Sequence, residues 1–202
     1  MKSWFLRLIV VFLLFTTAFP PLLCAQERTG HVTLILLVDK SLSMRPYIHE
    51  VKTYLEKTVL GEWLKPGDSV ALFTFYGSTH LLVWDSPLTA DQIPALRQKI
   101  RAIQANGRFT DIGTALDTYE RWAQTTVLPP WRRFVLLLTD ERQEAPPTSP
   151  YQSADYRIHH PLLKGARIVS HGGWKAITVD TVSENLLTSL MSKLSPLFST
   201  KP

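Results

Sequence analysis

Cysteine is almost missing from this chain: the only one among 202 residues is Cys24, close to the N-terminus. Beyond it there is no thiol nucleophile and no pair to form a disulfide, so a packed core must supply stability even in an oxidising compartment. Long apolar runs are missing too. The longest, Leu8 to Phe19, falls short of the roughly 20 residues that span a bilayer and stops at Pro20-Pro21. There is no low-complexity tract and no internal repeat, and 45% hydrophobic with 19% charged residues is a globular balance. Charge of one sign is scarce. The net charge of +5 falls to +3 once Lys2 and Arg7 are set aside, which is too mild to argue for nucleic acid. The modest basic group Arg97, Lys99, Arg101 and Arg108 reads as a solvated helix face. No GxSxG turn is present to carry a hydrolase serine.

What is present begins with a leader. Lys2 and Arg7 precede the apolar run, and small residues follow near Cys24 and Ala25. That order describes an export signal over residues 1–25, cut after Ala25, with residues 26–202 forming one domain. An uncleaved anchor, or a lipid on Cys24, would use the same features, although Leu23 is large for the position it takes in either kind of processing. The expected location is periplasmic or extracellular, free or attached to a membrane.

Val32 to Val38 is a continuous apolar run of strand length, as a strand buried on both faces requires, and it ends at Asp39. Ile48, Val51, Leu55 and Val59 recur at helical spacing between Pro46 and about Leu60. Lys65-Pro-Gly-Asp68 is a turn, Ser69 to Tyr76 a second strand, and His80 to Trp84 a short third strand that can run antiparallel. Leu88-Thr-Ala-Asp-Gln-Ile93 has the pattern of a capping box with a hydrophobic staple, its helix start delayed by Pro94, and Ile93, Leu96, Ile100 and Ile103 form the inward stripe. Asp111 suits the N-cap of a helix carrying Ala115, Leu116, Tyr119 and Trp122. Phe134 to Leu138 is a second fully apolar strand and runs into Thr139-Asp140. Residues 141–165 are proline-rich and read as loop with at most one short helix. Ala166–Ser170 and Trp174–Val179 read as strands around His171-Gly-Gly173, and Ser183–Leu197 as a closing helix. The alternation predicts an α/β fold, a mainly parallel central sheet with helices on both faces. Ligands of such sheets bind just beyond the C-terminal ends of the strands.

Two apolar strands deliver carboxylates to that end. Asp39-Lys-Ser41-Leu-Ser43 follows the first, Asp140 ends the later one, and Thr110 stands in the loop before a helix. Two carboxylates and three hydroxyls are hard oxygen donors of the kind Mg²⁺ or Mn²⁺ prefers, with Ca²⁺ a poorer match. A cation also allows two carboxylates to lie close together without one taking a proton. Other arrangements have simpler readings. Asp39-Lys-Ser41 lacks the second acid an aspartyl-phosphate chemistry wants two residues on. Gly67-Asp-Ser69 precedes a strand and reads as a turn. His171-Gly-Gly173 reads as a hairpin turn, His159-His160 as solvated loop histidines, and Trp131-Arg-Arg133 as a surface edge.

Asp39-x-Ser41-x-Ser43, Thr110-Asp-Ile-Gly-Thr-Ala-Leu116 and Leu-Leu-Leu-Thr139-Asp140 together resemble the metal-ion-dependent adhesion site of von Willebrand factor type A domains, a Rossmann-like fold, over roughly His31 to Pro196. The resemblance implies that Ser41, Ser43 and Thr110 touch a divalent cation directly. It implies that Asp39 and Asp140 act through bound waters, with Asp140 direct in one of the family's states. It also implies a protein partner whose exposed Asp or Glu completes the coordination. On this reading the chain is a non-enzymatic, metal-dependent binding module. The rival reading is a metal-dependent hydrolase or phosphoryl-transfer enzyme, for which Glu141 or Asp111 would be the base; an assembly protein with a vestigial metal loop is the third. Two departures from the family pattern stand out. Glu141 occupies a position where glycine often follows the last aspartate, and Glu144 to His160 lacks the helix that usually covers the sheet.

Overall fold

A computed structural model describes residues 28, 30–152 and 155–181. By its contacts the chain separates into Met1–Gly30 and His31–Pro202, and the fold below belongs to the second unit. The expected leader and the expected helix over 183–197 lie outside the described residues.

Six strands form one mixed sheet in the order β3-β2-β1-β4-β6-β5. They are β1 (Val32–Asp39), β2 (Ser69–Phe75), β3 (Thr79–Asp85), β4 (Arg132–Thr139), β5 (Arg167–His171) and β6 (Trp174–Asp180). The central strand β1 lies parallel to both β2 and β4. Antiparallel ladders close the sheet on each side, β3 on β2 and the β6–β5 hairpin on β4. Four strands therefore point one way and β3 and β6 the other. The antiparallel reading of β3 holds. The described residues of the stretch after Asp140 form no crossover helix, only a 3₁₀ turn at Pro161–Leu163, and the chain returns to the sheet as the β5–β6 hairpin, which sets β6 antiparallel to β4.

The unbroken apolar runs follow from burial on both faces. In β1, Leu34, Leu36 and Val38 enter one core, while Ile35 and Leu37 enter the other. Leu136 and Leu138 of β4 follow the first pattern, Val135 and Leu137 the second. The period of two is present, but both phases are apolar. On the first face lie helix α1 (Ile48–Tyr54), its continuation as a π-helix over Leu55–Trp63, and α2 (Gln92–Ala102). On the second lies α3 (Ile112–Thr125).

Local signals fix the boundaries. Asp68 accepts from the backbone N–H of Val32 (3.0 Å) and of Lys65 (2.8 Å), tying the turn before β2 to the start of β1. Gln92 Oε1 accepts from the Thr89 N–H at 2.7 Å, half of the expected capping box, but the helix itself starts only at Gln92. Pro94 then falls within the first turn, where its missing N–H costs nothing. Buried Leu88 and half-buried Ile93 meet in the first core as the staple predicts. Trp131-Arg-Arg133 corrects its reading: Arg132 and Arg133 open β4, an interior strand, and Arg132 pairs with Asp180. Among the described residues, no helix is long and apolar enough to cross a membrane.

Candidate metal-binding site

The C-terminal ends of β1 and β4 carry Asp39 and Thr139-Asp140 to the same edge of the sheet. Asp39 is fully buried. Its Oδ1 accepts from the Ser41 N–H at 2.8 Å, and its Oδ2 accepts from the Thr139 hydroxyl at 2.7 Å. Ser41 Oγ lies 3.0 Å from Ser43 Oγ, the alternate spacing turning both hydroxyls to one side of the loop. A parallel bridge joins Ser41 to Gly107, with Gly107 N–H donating to Lys40 O and Leu42 N–H to Gly107 O, each at 2.9 Å. That bridge draws the loop holding Thr110 against the Ser41 loop.

Thr110 is buried and exchanges both of its backbone hydrogen bonds with Glu144, at 2.9 and 2.8 Å. Asp111 caps α3, accepting from the Thr114 N–H at 3.1 Å, and takes a second bond from Gln143 Nε2 at 3.1 Å. Gln143 Oε1 in turn accepts from the Ile112 N–H at 2.8 Å. The capping role expected of Asp111 is therefore its role here, and buried Gln143 is a supporting residue that no sequence pattern singled out. Asp140 is half-buried, and its Oδ1 accepts from the Arg142 N–H at 3.2 Å. Asp39 thus ends β1, Asp140 follows β4, and Ser41, Ser43 and Thr110 stand on two bridged loops at the same end of the sheet.

Burial pushes the Asp39 carboxyl up to about 7, against the lowering effect of its bonds from Ser41 and Thr139, with the nearby Asp140 carboxylate adding to the rise. No cationic side chain among the described residues pairs with it. A buried carboxylate in that position is costly unless a positive charge faces it. Each Asp39 oxygen has accepted one hydrogen bond and retains a lone pair for a water. Carboxylates with spare lone pairs beside paired hydroxyls suit a hard dication.

Glu141 accounts for one departure noted in the sequence. Its φ is 64°, in the left-handed region where glycine is at ease. A non-glycine residue there costs on the order of 1–2 kcal/mol. Glu141 is held by its N–H donating to the Thr139 hydroxyl (3.1 Å) and by an ion pair with Lys175 of β6.

The histidine pair divides. His159 is exposed, as expected, but His160 is buried, which corrects that reading. Its Nδ1 accepts from the Leu162 N–H at 3.2 Å, so the neutral ring carries its proton on Nε2 and donates it to Asp117 at 3.1 Å. The Tyr151 hydroxyl donates to the same carboxylate at 2.9 Å, and burial first, then that carboxylate, pushes the phenol up to about 12. Asp117, Glu120 and His160 have ligand atoms within 4.8 Å of one another. With the Nε2 proton directed at Asp117, the group serves to pin the loop after β4 onto α3.

A family model of the von Willebrand factor type A domain matches residues 34–143, a span that holds all five donors. An uncharacterized protein of Treponema pallidum (strain Nichols) is 30% identical over 158 residues, covering 77% of this chain and 71% of its own length. Among solved structures, the conserved hypothetical protein BatB from Bacteroides thetaiotaomicron is 22% identical with a TM-score of 0.45, over 56% of this chain and 55% of that one. An aerotolerance-related membrane protein from Bacteroides fragilis NCTC 9343 is 21% identical with a TM-score of 0.46, over 57% of each chain. This chain thus spans little more than half the length of those solved chains. The family match, over more than half of the chain, leads to one conclusion: the chain belongs to the von Willebrand factor type A domain family.

Proposed function

We propose that this chain is a metal-dependent protein-binding module that works outside the cytoplasm and captures an exposed Asp or Glu of its partner. Ser41, Ser43 and Thr110 would hold Mg²⁺ or Mn²⁺ directly, and Asp39 and Asp140 through water. When bound, the cation supplies an electrophilic position that a partner carboxylate can fill. The observation that carries this reading is the buried Asp39 carboxylate, which accepts from the Ser41 N–H and the Thr139 hydroxyl but pairs with no cationic side chain among the described residues. Neutral inner ligands would leave the ion's charge largely uncompensated, so an incoming carboxylate gains a strong charge-assisted contact.

Binding is favoured over hydrolysis by what the two available acids do. Glu141 is ion-paired with Lys175, and Asp111 is spent on the α3 cap and Gln143. Neither is left as a free general base.

The test is thermal. A cation that binds only the folded chain raises its stability by RT ln(1 + [L]/Kd), about 2.7 kcal/mol at one hundred times Kd. Mg²⁺ or Mn²⁺ should raise the melting temperature of the wild type and leave Asp39→Ala unmoved, although the variant still melts cooperatively. Equal shifts in both proteins would sink the metal assignment, and metal-dependent turnover of a phosphoester would favour an enzyme.

A further inference from the structure

The rim of the donor cluster is unevenly charged. Its two glutamates are answered by cations: Glu141 pairs with Lys175, and Glu144 with Arg142. Two of its cations are not answered by acids. Lys40 stands between Asp39 and Ser41, and Arg108 between Gly107, which bridges to Ser41, and Thr110. Among the described residues, no carboxylate forms an ion pair with either. Each lies over an aromatic ring instead, Lys40 Nζ 5.0 Å from the centre of Tyr76 and the Arg108 guanidinium 4.9 Å from that of Phe109.

The wall between these cations is tightly built. A Cβ on Gly107 would come within 2.3 Å of Tyr76 Cβ, and one on Gly77 within 3.1 Å of Arg108 O. The Gly77 N–H donates to that same oxygen at 3.2 Å, and Phe109 holds φ at 71°. Lys40, Tyr76, Gly77, Phe109 and Arg108 therefore form one continuous surface beside the donor loops, with half-buried Lys40 and exposed Arg108 each held over a ring. The apolar Leu42, 48% exposed, adjoins it. A ring face offsets only part of the desolvation of a cation and leaves it able to take a carboxylate.

We propose that Lys40 and Arg108 receive further carboxylates of the same partner, so that the chain recognises an acidic segment and not a single acidic residue. This rests on the metal-dependent reading above and specifies its partner. The cation would take one carboxylate by direct contact, while the two side chains take neighbours through ion pairs at the surface. The two contributions respond differently to salt, because exposed pairs are screened over about 10 Å at 0.1 M and an inner contact is not.

The probes are two synthetic peptides, one with a single glutamate among glycines and one with that glutamate flanked by two more on each side. Each is titrated into the full-length chain in Mg²⁺. The flanked peptide should bind at least tenfold more tightly at low salt, and raising salt should erase most of that advantage. A Lys40→Gln, Arg108→Gln double variant should bind both peptides alike, whereas Lys40→Arg, Arg108→Lys should keep the preference. Equal binding of the two peptides by wild type in Mg²⁺ would overturn this inference and leave the metal reading standing. A flanked peptide held equally well in chelator, and lost in the double variant, would support the cation pair and overturn the metal reading.

Discussion

Burial separates His159 from His160, and it decides what each can do for stability. His160 donates from Nε2 to Asp117 while buried, with the Leu162 N–H filling its other nitrogen. His159 is exposed beside Asp155. A bond to a charged group is worth roughly 1.5–3 kcal/mol, and its loss here would leave Asp117 with the Tyr151 hydroxyl and water. His160→Ala should therefore lower the unfolding free energy by about 2 kcal/mol in a urea titration, since it frees the loop after β4 from α3. His159→Ala should stay within about 0.5 kcal/mol, as exposed positions usually do. Equal effects would show that the loop is held by other contacts. The two residues are adjacent and identical, so no sequence pattern distinguishes them; the difference arises from which one faces Asp117.

At the level of elements, the basic group read from sequence comes apart. Arg97 and Arg101 lie on α2, and both reach Glu56 of the π-helical segment, Arg101 with two guanidinium nitrogens. Arg108 is on the loop beyond α2, two residues before Thr110, with its guanidinium over the Phe109 ring. The pair joining α2 to the π-helix carries a pH signature. The hydrogen bond from Arg101 holds the Glu56 carboxyl below its ordinary 4.5. A lowered folded-state pKa contributes stability that is present above 4.5 and is lost as pH falls through the lowered value. Because the pair is exposed, solvent screens it and its worth is small. Arg101→Gln should thus destabilise the chain slightly at neutral pH, and the gap to wild type should close as the pH falls well below 4.5. A gap that persists in acid would mean that Arg101 acts through packing of its stem over α2.

For the whole molecule, one sheet buried on both faces makes its centre the most sensitive region. Leu36 is fully buried in the middle of β1, paired with Leu72 of β2 and Leu136 of β4. Leu36→Ala should cost about 2–5 kcal/mol through lost contacts and the cavity left behind. Val169→Ala on the edge strand β5, 55% exposed, should cost under about 0.5 kcal/mol. Chemical denaturation of both variants checks the contrast. If Leu36→Ala were as mild as Val169→Ala, the central strand would have to repack freely.

Much of this was legible without coordinates. The runs Val32–Val38 and Phe134–Leu138 named the central strands because only burial on both faces calls for apolar residues in both phases of a strand. Asp111 named the start of α3 because an N-cap is a local hydrogen bond. The candidate donors Asp39, Ser41, Ser43, Thr110 and Asp140 were named from their spacing and from the elements they end or precede. Other features depended on tertiary structure, since the groups involved are far apart in sequence. The hairpin that sets β6 antiparallel to β4 depends on where a helix-free loop returns to the sheet. The bond from Gln143 to Asp111 spans 32 residues, and the one from His160 to Asp117 spans 43. The sheet and its local caps follow from periodicity and neighbouring groups, which a sequence displays. The charge pattern around the donors follows from which side chains the folded loops leave paired, and only the fold decides that.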